Sequence, residues 1–330
     1  MNTAVNFKAL LLIAALALAL ASHIGMVRAQ SADSYPSKPV RFVVGFPPGG
    51  ANDILGRLVG AKLQERLGQT FVIENKPGAN AIIATDFVAK SAPDGYTLLI
   101  GASGAMTFNP GLYDKLPYDP VKDFAPITLI GSFPLVLTVS PSIGVGTVHE
   151  LVVLAKSKPG ALNYGAGSTP FHLAAELFKM QTGTDMKHVP YKGSAATVNG
   201  LLGGEVALTF VDSPPVVAQI KAGKLRGLAV TSPKRAPFMP DLPTVMEAGV
   251  PDFEVVLWTS LFAPVGTPST VVRKLQGEIA KILQIPEIRE RMTAIGIDPI
   301  GSTPEELAAQ LQKDLIRWTK VARTAGIRAD

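Results

Sequence analysis

The stretch VRFVVGFPPGGANDILGRLVGAKLQERLG, residues 40–68, decides the fold. Residues 40–46 form a short β-branched and aromatic run, which predicts a buried strand. Pro47-Pro48-Gly49-Gly50 breaks it. Ala51-Asn52-Asp53 then opens a segment with Ile54, Leu55, Leu58, Val59 and Leu63 on one helical face, and Gly68 stops it. The order repeats downstream, with strands predicted over 70–74 and 97–102 and a helix over 80–90. Strands alternating with helices predict an α/β protein with a mainly parallel sheet and helices on both faces.

The pattern changes at 109–126, where Pro110, Pro117, Pro120 and Pro126 predict an irregular connection. Two apolar runs follow, 127–130 and 135–139, with no helix between them, and a crossing into a second domain is placed there. Strands over 162–165, 187–190 and 206–211 alternate with helices over 148–156, 171–181 and 194–202, and 225–231 is the return strand. The remainder predicts three helices, 268–283, 286–295 and 303–325, which need the first domain to bury against. The expected organisation is therefore two lobes, 35–132 with 228–330 and 133–227. Two hinge crossings near 130–135 and 225–228 would let a cleft close.

The first 29 residues are expected to be a signal peptide. Lys8 precedes an unbroken apolar run over 9–21, and Val27-Arg28-Ala29 sets small residues at a cleavage site. Thirteen apolar residues fall short of the roughly 20 needed to span a bilayer. Periplasmic export follows. Cleavage would remove Lys8 and Arg28 and no acidic residue, lowering the formal charge of +5 by two. That is a mild bias toward anions and no case for nucleic acid, since no basic run exists. With no cysteine in the chain, disulfides, thiolate metal sites and cysteine nucleophiles are excluded, as is a lipid-anchored form.

No reaction centre is visible. His149, His172 and His188 form no metal-binding spacing, and no nucleophile elbow or phosphate loop is present. No catalytic residue, metal or cofactor is expected, and His172 reads as a structural histidine near a cleft wall. Four strand-to-helix turns rich in small residues stand out instead: Phe46 to Asn52 (with Pro48, Gly49, Gly50 and Ala51), Gly101 to Ala105, Ala166 to Thr169, and Tyr191 to Ala195. In open parallel sheets such turns share the carboxyl edge, where ligands bind. The first N–H groups of the following helices point outward. The turns hold no arginine and only Lys192 as a cation, so a bound carboxylate needs converging amides and the hydroxyls of Ser103, Ser168, Thr169 and Ser194. Asp53 is expected to stabilise its helix. Asp212 ends a strand at the same edge, with two roles open: accepting a bond from a ligand, or capping the helix begun by Pro214-Pro215.

The opening YPSKPVR into FPPGGANDILGR resembles the Bug family, the extracytoplasmic receptors of tripartite tricarboxylate transporters. The likeness continues through PDGYTLL (93–99), HVPYKGSAA (188–196), LLGGEV (201–206), IKAGKLRGLAVTSPKR (220–235), LPTVMEAGVPDFE (242–254), LFAPVGTP (261–268) and RWTKVARTAGIRAD (317–330). It implies a type II periplasmic-binding-protein fold whose two lobes close on a small organic acid. It also implies that the carboxylate is held by Gly49 to Asn52, Ser103, Gly104 and Ala105, Gly167 to Thr169, and Gly193 to Ala195. Val211 separates Phe210 from Asp212, where many members have the aspartate directly after the phenylalanine. The expected function is a monomeric receptor serving the permease subunits of such a transporter. A receptor signalling to a sensor kinase is the alternative, and an enzyme of the same fold is third.

Overall fold

The computed structural model describes residues 35–326 and Arg328. The signal peptide expected over 1–29 lies outside the described residues. From Pro36 onward, β1 (Val40–Val44), α1 (Ala51–Leu67), β2 (Phe71–Asn75), α2 (Ile82–Ala89) and β3 (Thr97–Ala102) follow the predicted alternation. Gly68 ends α1 at φ +69°, a conformation that costs glycine least. One difference is local. The expected helix over 80–90 starts only at Ile82, because Ala79, Asn80 and Ala81 all have positive φ.

Beyond β3, a π-helical turn (Gly104–Phe108) runs into the short helix α3 (Asn109–Leu112). The chain then enters β4 (Phe124–Val139), a single strand of 16 residues where two separate runs were expected. The second half of the sheet follows: α4 (Val148–Ser157), β5 (Asn163–Ala166), α5 (Thr169–Thr182), β6 (Lys187–Pro190), α6 (Gly193–Leu202), β7 (Leu208–Asp212), α7 (Ser213–Lys221) and β8 (Arg226–Val230). The chain closes with β9 (Val256–Pro264), α8 (Ser269–Leu283), α9 (Pro286–Ala294), β10 (Asp298–Pro299) and α10 (Pro304–Ala325). Capping boxes start α4 (Thr147 with Glu150) and α10 (Thr303 with Glu306), satisfying orphan N–H groups at both ends of the reciprocal pair.

The sheet order is β2-β1-β3-β9-β4-β7-β5-β6, with β8 and β10 also on β4. The expectation of a mainly parallel sheet is corrected. The outer pairs β1–β2, β1–β3, β5–β6 and β5–β7 are parallel, but β9 is antiparallel to both β3 and β4, and β4 is antiparallel to β7 and β8. β9, not read from the sequence as a strand, makes the centre of the sheet mixed.

β4 changes partners within its own length. Phe124 to Pro134 pairs with β9, and Leu135 to Val139 pairs with β7 and β8. Pro134 has no N–H to give, so the ladder is interrupted at that residue. Register shifts near Ile127, Ile130 and Leu137 bend the strand further. β8 pairs with the second half of β4 over Arg226–Val230. On the first half, Leu307 and Leu311 of α10 join Val43, Leu99, Phe262 and Trp258 in one core, and Trp318 stacks on Phe108 with ring centres 4.1 Å apart.

Candidate ligand-binding site

A cavity lies where the two halves of the sheet meet. Its room for water-sized molecules is ≈ 30 Å³, enough for about two waters at the 10–15 Å³ each requires. The first half contributes Phe46, Gly50 and Asn52 from the turn before α1, and Ser103 and Gly104 after β3. The second half contributes Ser168 before α5, Gly193 and Ser194 at the start of α6, and Asp212 at the end of β7. Nine of the sixteen residues expected at the site are thus brought to one cavity. Gly167 and Thr169 line an adjoining recess of ≈ 480 Å³, which shares Ser168 and is bordered by His172 and His188. Pro48, Gly49, Ala51, Ala105 and Ala195 line neither cavity.

The remaining walls are Pro47 and Ala102, inside two of the turns expected at the cleft edge, Asp53, and five residues that the sequence did not single out: Phe133, Pro170, Phe171, Leu257 and Trp258. Most are apolar. Trp258 turns its indole N–H away, donating to Asp314 Oδ2 at 2.7 Å. The signal for Leu257 and Trp258 was the apolar run 255–265, long enough for a buried strand but left unassigned between the strand expected over 225–231 and the helix expected over 268–283.

The halves touch across the cavity. The Ala51 N–H, first in α1, donates to Asp212 Oδ2 at 2.8 Å. The Thr169 N–H, first in α5, donates to Asn80 Oδ1 at 3.2 Å. A Cβ built on Gly50 would lie 3.0 Å from Ser194 Oγ and 3.6 Å from Asp212 Oδ2. A methyl group there would be a tight contact that Ser194 must yield to by a few tenths of an ångström, and a branched side chain would hold the two turns apart.

Asp212 does not cap α7, which removes one of its two expected roles. It occupies the N-cap position with no side-chain cap bond, and the reason is chemical. A cap accepts from the second or third helical N–H, and those positions are Pro214 and Pro215, which have none. The carboxylate crosses to α1 instead. It is 3% exposed, and its Oδ1 has no hydrogen-bond partner. Burial pushes the Asp212 carboxyl above its ordinary value, opposed by the Ala51 N–H, the neighbouring Ser194 hydroxyl and its own backbone N–H.

Asp53 does more than favour a helix dipole. It accepts from Gly49 N–H (3.1 Å), Asn75 Nδ2 (3.0 Å) and Arg57 Nε (3.0 Å), so it holds the Pro47–Gly50 turn against α1 and β2. Burial raises its carboxyl, but the bonds from Arg57, Asn75 and Gly49 outweigh it and hold the group below the usual carboxylate value. Donors toward the cavity are neutral. Ser103 Oγ accepts from the Trp258 N–H at 3.2 Å, leaving its own proton to give. Asn52 Oδ1 accepts from Thr259 Oγ1 at 2.7 Å, leaving the amide NH₂ as its donor. The helical N–H groups of Asn52 and Asp53 have no intrahelical acceptor. His172 serves the wall of the recess, with Nδ1 2.8 Å from the Tyr164 hydroxyl.

A sheet in two halves, threaded by one strand and enclosing a cavity between facing strand-to-helix turns, defines a periplasmic-type solute-binding protein. The chain belongs to the tripartite tricarboxylate transporter receptor family, whose model matches residues 55–327. BugT of Bordetella pertussis is 36% identical over 307 residues, covering 92% of this chain and 94% of its own length. Among solved structures, an R. palustris protein with adipate is 40% identical with a TM-score of 0.87, over 89% of this chain and 99% of that one. The periplasmic binding protein BugD is 34% identical with a TM-score of 0.86, over 90% and 100%. MatC from Rhodopseudomonas palustris with bound malate is 32% identical with a TM-score of 0.82, over 87% and 99%. The family and these neighbours are solute-binding receptors, and among the described residues no helix is long and apolar enough to cross a membrane.

Proposed function

We propose that this chain is an exported, monomeric receptor that captures a small organic acid in the periplasm and presents it to the membrane subunits of a tripartite transporter. The observation that carries the reading is the convergence of Gly50, Ser103, Ser168 and Ser194 on one cavity, with the N-termini of α1, α5 and α6 beside it. The acids bound in the adipate and malate structures of related proteins support the same ligand class.

The energetics fit this class when several donors act together. Each helix N-terminus contributes about 0.3–1 kcal/mol to a bound anion. Each hydrogen bond to a charged group adds roughly 1.5–3 kcal/mol. Micromolar binding needs about 8 kcal/mol, so three or four converging donors suffice without a cation.

Capture also requires motion, since ≈ 30 Å³ admits no organic acid. The reading is that lobe 133–227 swings away from 35–132 and 228–330 about the passages at Pro134–Leu135 and Thr231–Val255. Opening breaks the Ala51–Asp212 and Thr169–Asn80 bonds, and a ligand re-closes the cleft. Mass spectrometry of small molecules carried through purification, followed by titration calorimetry with the acids found and with adipate and malate, tests the assignment. A receptor that carries no acid and binds none of the panel would refute it.

A further inference from the structure

If a carboxylate enters this cavity, it meets two acids and no base, for among the described residues Asp53 and Asp212 are its only ionisable lining residues. Asp53 is neutralised by Arg57 and by the N–H bonds of Asn75 and Gly49. Asp212 is not. Its Oδ2 is bound to the Ala51 N–H, its Oδ1 is buried without a partner, and no charged group is among the influences on it.

The surrounding elements bring no compensating charge into the cavity: α5, packed against β7, carries His172, Glu176 and Lys179, but Glu176 and Lys179 pair with each other and none of the three lines the cavity. β4 and β9 contain no ionisable residue over Phe124–Val139 and Val256–Pro264. Neither does α6 over Gly193–Leu202, and the Lys192 before it does not line the cavity. The only charge in α7 is Lys221 in its last turn. α1 brings Asp53 and Arg57, which are committed to each other. Two carboxylates brought together in such a site cannot both stay ionised, and the pair retains a proton that neither would hold alone.

We propose that the receptor takes up its organic acid together with one proton, held between the ligand carboxylate and Oδ1 of Asp212. This rests on the capture of a carboxylate in this cavity. The proton comes from solvent as the cleft closes, and no covalent bond between heavy atoms forms or breaks. Protonated Oδ1 donates to a ligand oxygen, while Oδ2 accepts the Ala51 N–H again as the cleft re-closes. The upward push on the Asp212 carboxyl by burial, before any second anion arrives, acts in the same direction.

The test is calorimetric titration of the mature protein with adipate, malate and benzoate from pH 6.5 to 9.5, in paired buffers of different ionisation enthalpy. These acids are ionised almost completely throughout, so a proton taken up on binding is one that the complex holds and the free ligand does not. The expected result is that Kd rises toward tenfold per pH unit within this window, with uptake approaching one proton per ligand. Asp212→Asn offers an amide N–H in place of the acid proton. It should bind with a flat pH profile and no uptake, with melting curves confirming that it is folded. Wild-type binding that is pH-independent overturns the proposal alone. A folded Asp212→Asn that no longer binds overturns it in favour of an ionised Asp212 accepting a donor from the ligand. Failure of all three acids to bind at any pH removes the parent reading and this one with it.

Discussion

The Thr231 side chain is tied to Leu135 of β4, where that strand passes from one half of the sheet to the other. Its hydroxyl accepts the Leu135 N–H at 2.8 Å, and its own N–H donates to the Leu135 carbonyl at 3.0 Å. The same hydroxyl reaches the Val255 carbonyl at 2.6 Å, just before β9. Three passages of the chain are pinned at one fully buried residue. Thr231→Val keeps the branched shape and removes the hydroxyl, stranding the Leu135 N–H and the Val255 carbonyl. Each unpaired buried group costs about 1–3 kcal/mol. Urea unfolding should therefore show a loss of roughly 2–4 kcal/mol, and a change within about 0.5 kcal/mol would show that this knot is not what holds the crossing.

Asp53 gives a prediction with a pH sign. Its folded pKa is depressed below 3.8, so the stability it contributes is complete above its unfolded value and is lost as pH falls through the folded one. Asp53→Asn should destabilise the protein by roughly 1–3 kcal/mol at neutral pH, the scale of hydrogen bonds to a charged group. The gap between the two proteins should begin to narrow below about pH 4, where the unfolded wild-type chain takes up a proton at Asp53, and should close as the folded carboxyl is protonated in turn. Thermal melts of both from pH 3 to 7 would check this, and a constant gap across the range would contradict it.

The two histidines beside the recess give a third. His188 lies 4.2 Å from His172, ring centre to ring centre, and both pack against Tyr164. Desolvation, then the charge of His172, pushes the His188 imidazole down to about 4. Burial lowers His172 too, against the pull of Glu176. For a base held neutral, the unfolded chain binds the extra proton, so this contribution destabilises the fold as pH falls from about 6.5 toward 4. Proton NMR should find the His188 ring titrating well below the ordinary histidine value of about 6.5. A midpoint above 6 would mean that the stacked pair is not formed in solution.

Much of this was legible in the sequence, where each residue advertised its own role. The strand, glycine turn and helix of 40–68 carry local signals at every step, and all four turns could be marked as cleft-edge candidates. Other features had no local sign. Gly131 and Pro134 look like breakers between two strands, yet they sit inside one. Gly131 is there because the backbone of β10 presses on it, and a Cβ would meet the Asp298 carbonyl at 2.8 Å. β9 was passed over because it interrupts the strand–helix alternation on which the parallel sheet was inferred. The failure of Asp212 to cap α7 could have been read from Pro214 and Pro215, which leave nothing to cap. That its carboxylate would reach Ala51 could not, because the contact spans two distant segments that meet only in the folded chain.

Gly50 supplies the last prediction, and it separates closure from folding. Its φ of −90° is open to any residue, so a substitution there carries no backbone strain, unlike one at Gly49 with φ +95°. What crowds a side chain is the opposite half, with Ser194 Oγ 3.0 Å from the position a Cβ would take. Gly50→Val should therefore leave the melting temperature nearly unchanged while weakening acid binding by about a hundredfold or more, equivalent to about 2.7 kcal/mol. Gly50→Ala should lose less. Ser194→Ala removes the atom it meets, so the double variant Gly50→Ala/Ser194→Ala should bind better than the two single losses add up to predict. Full affinity in Gly50→Val would mean that the turns never approach this closely around a ligand. Strictly additive losses in the double variant would place the obstruction on some group other than Ser194.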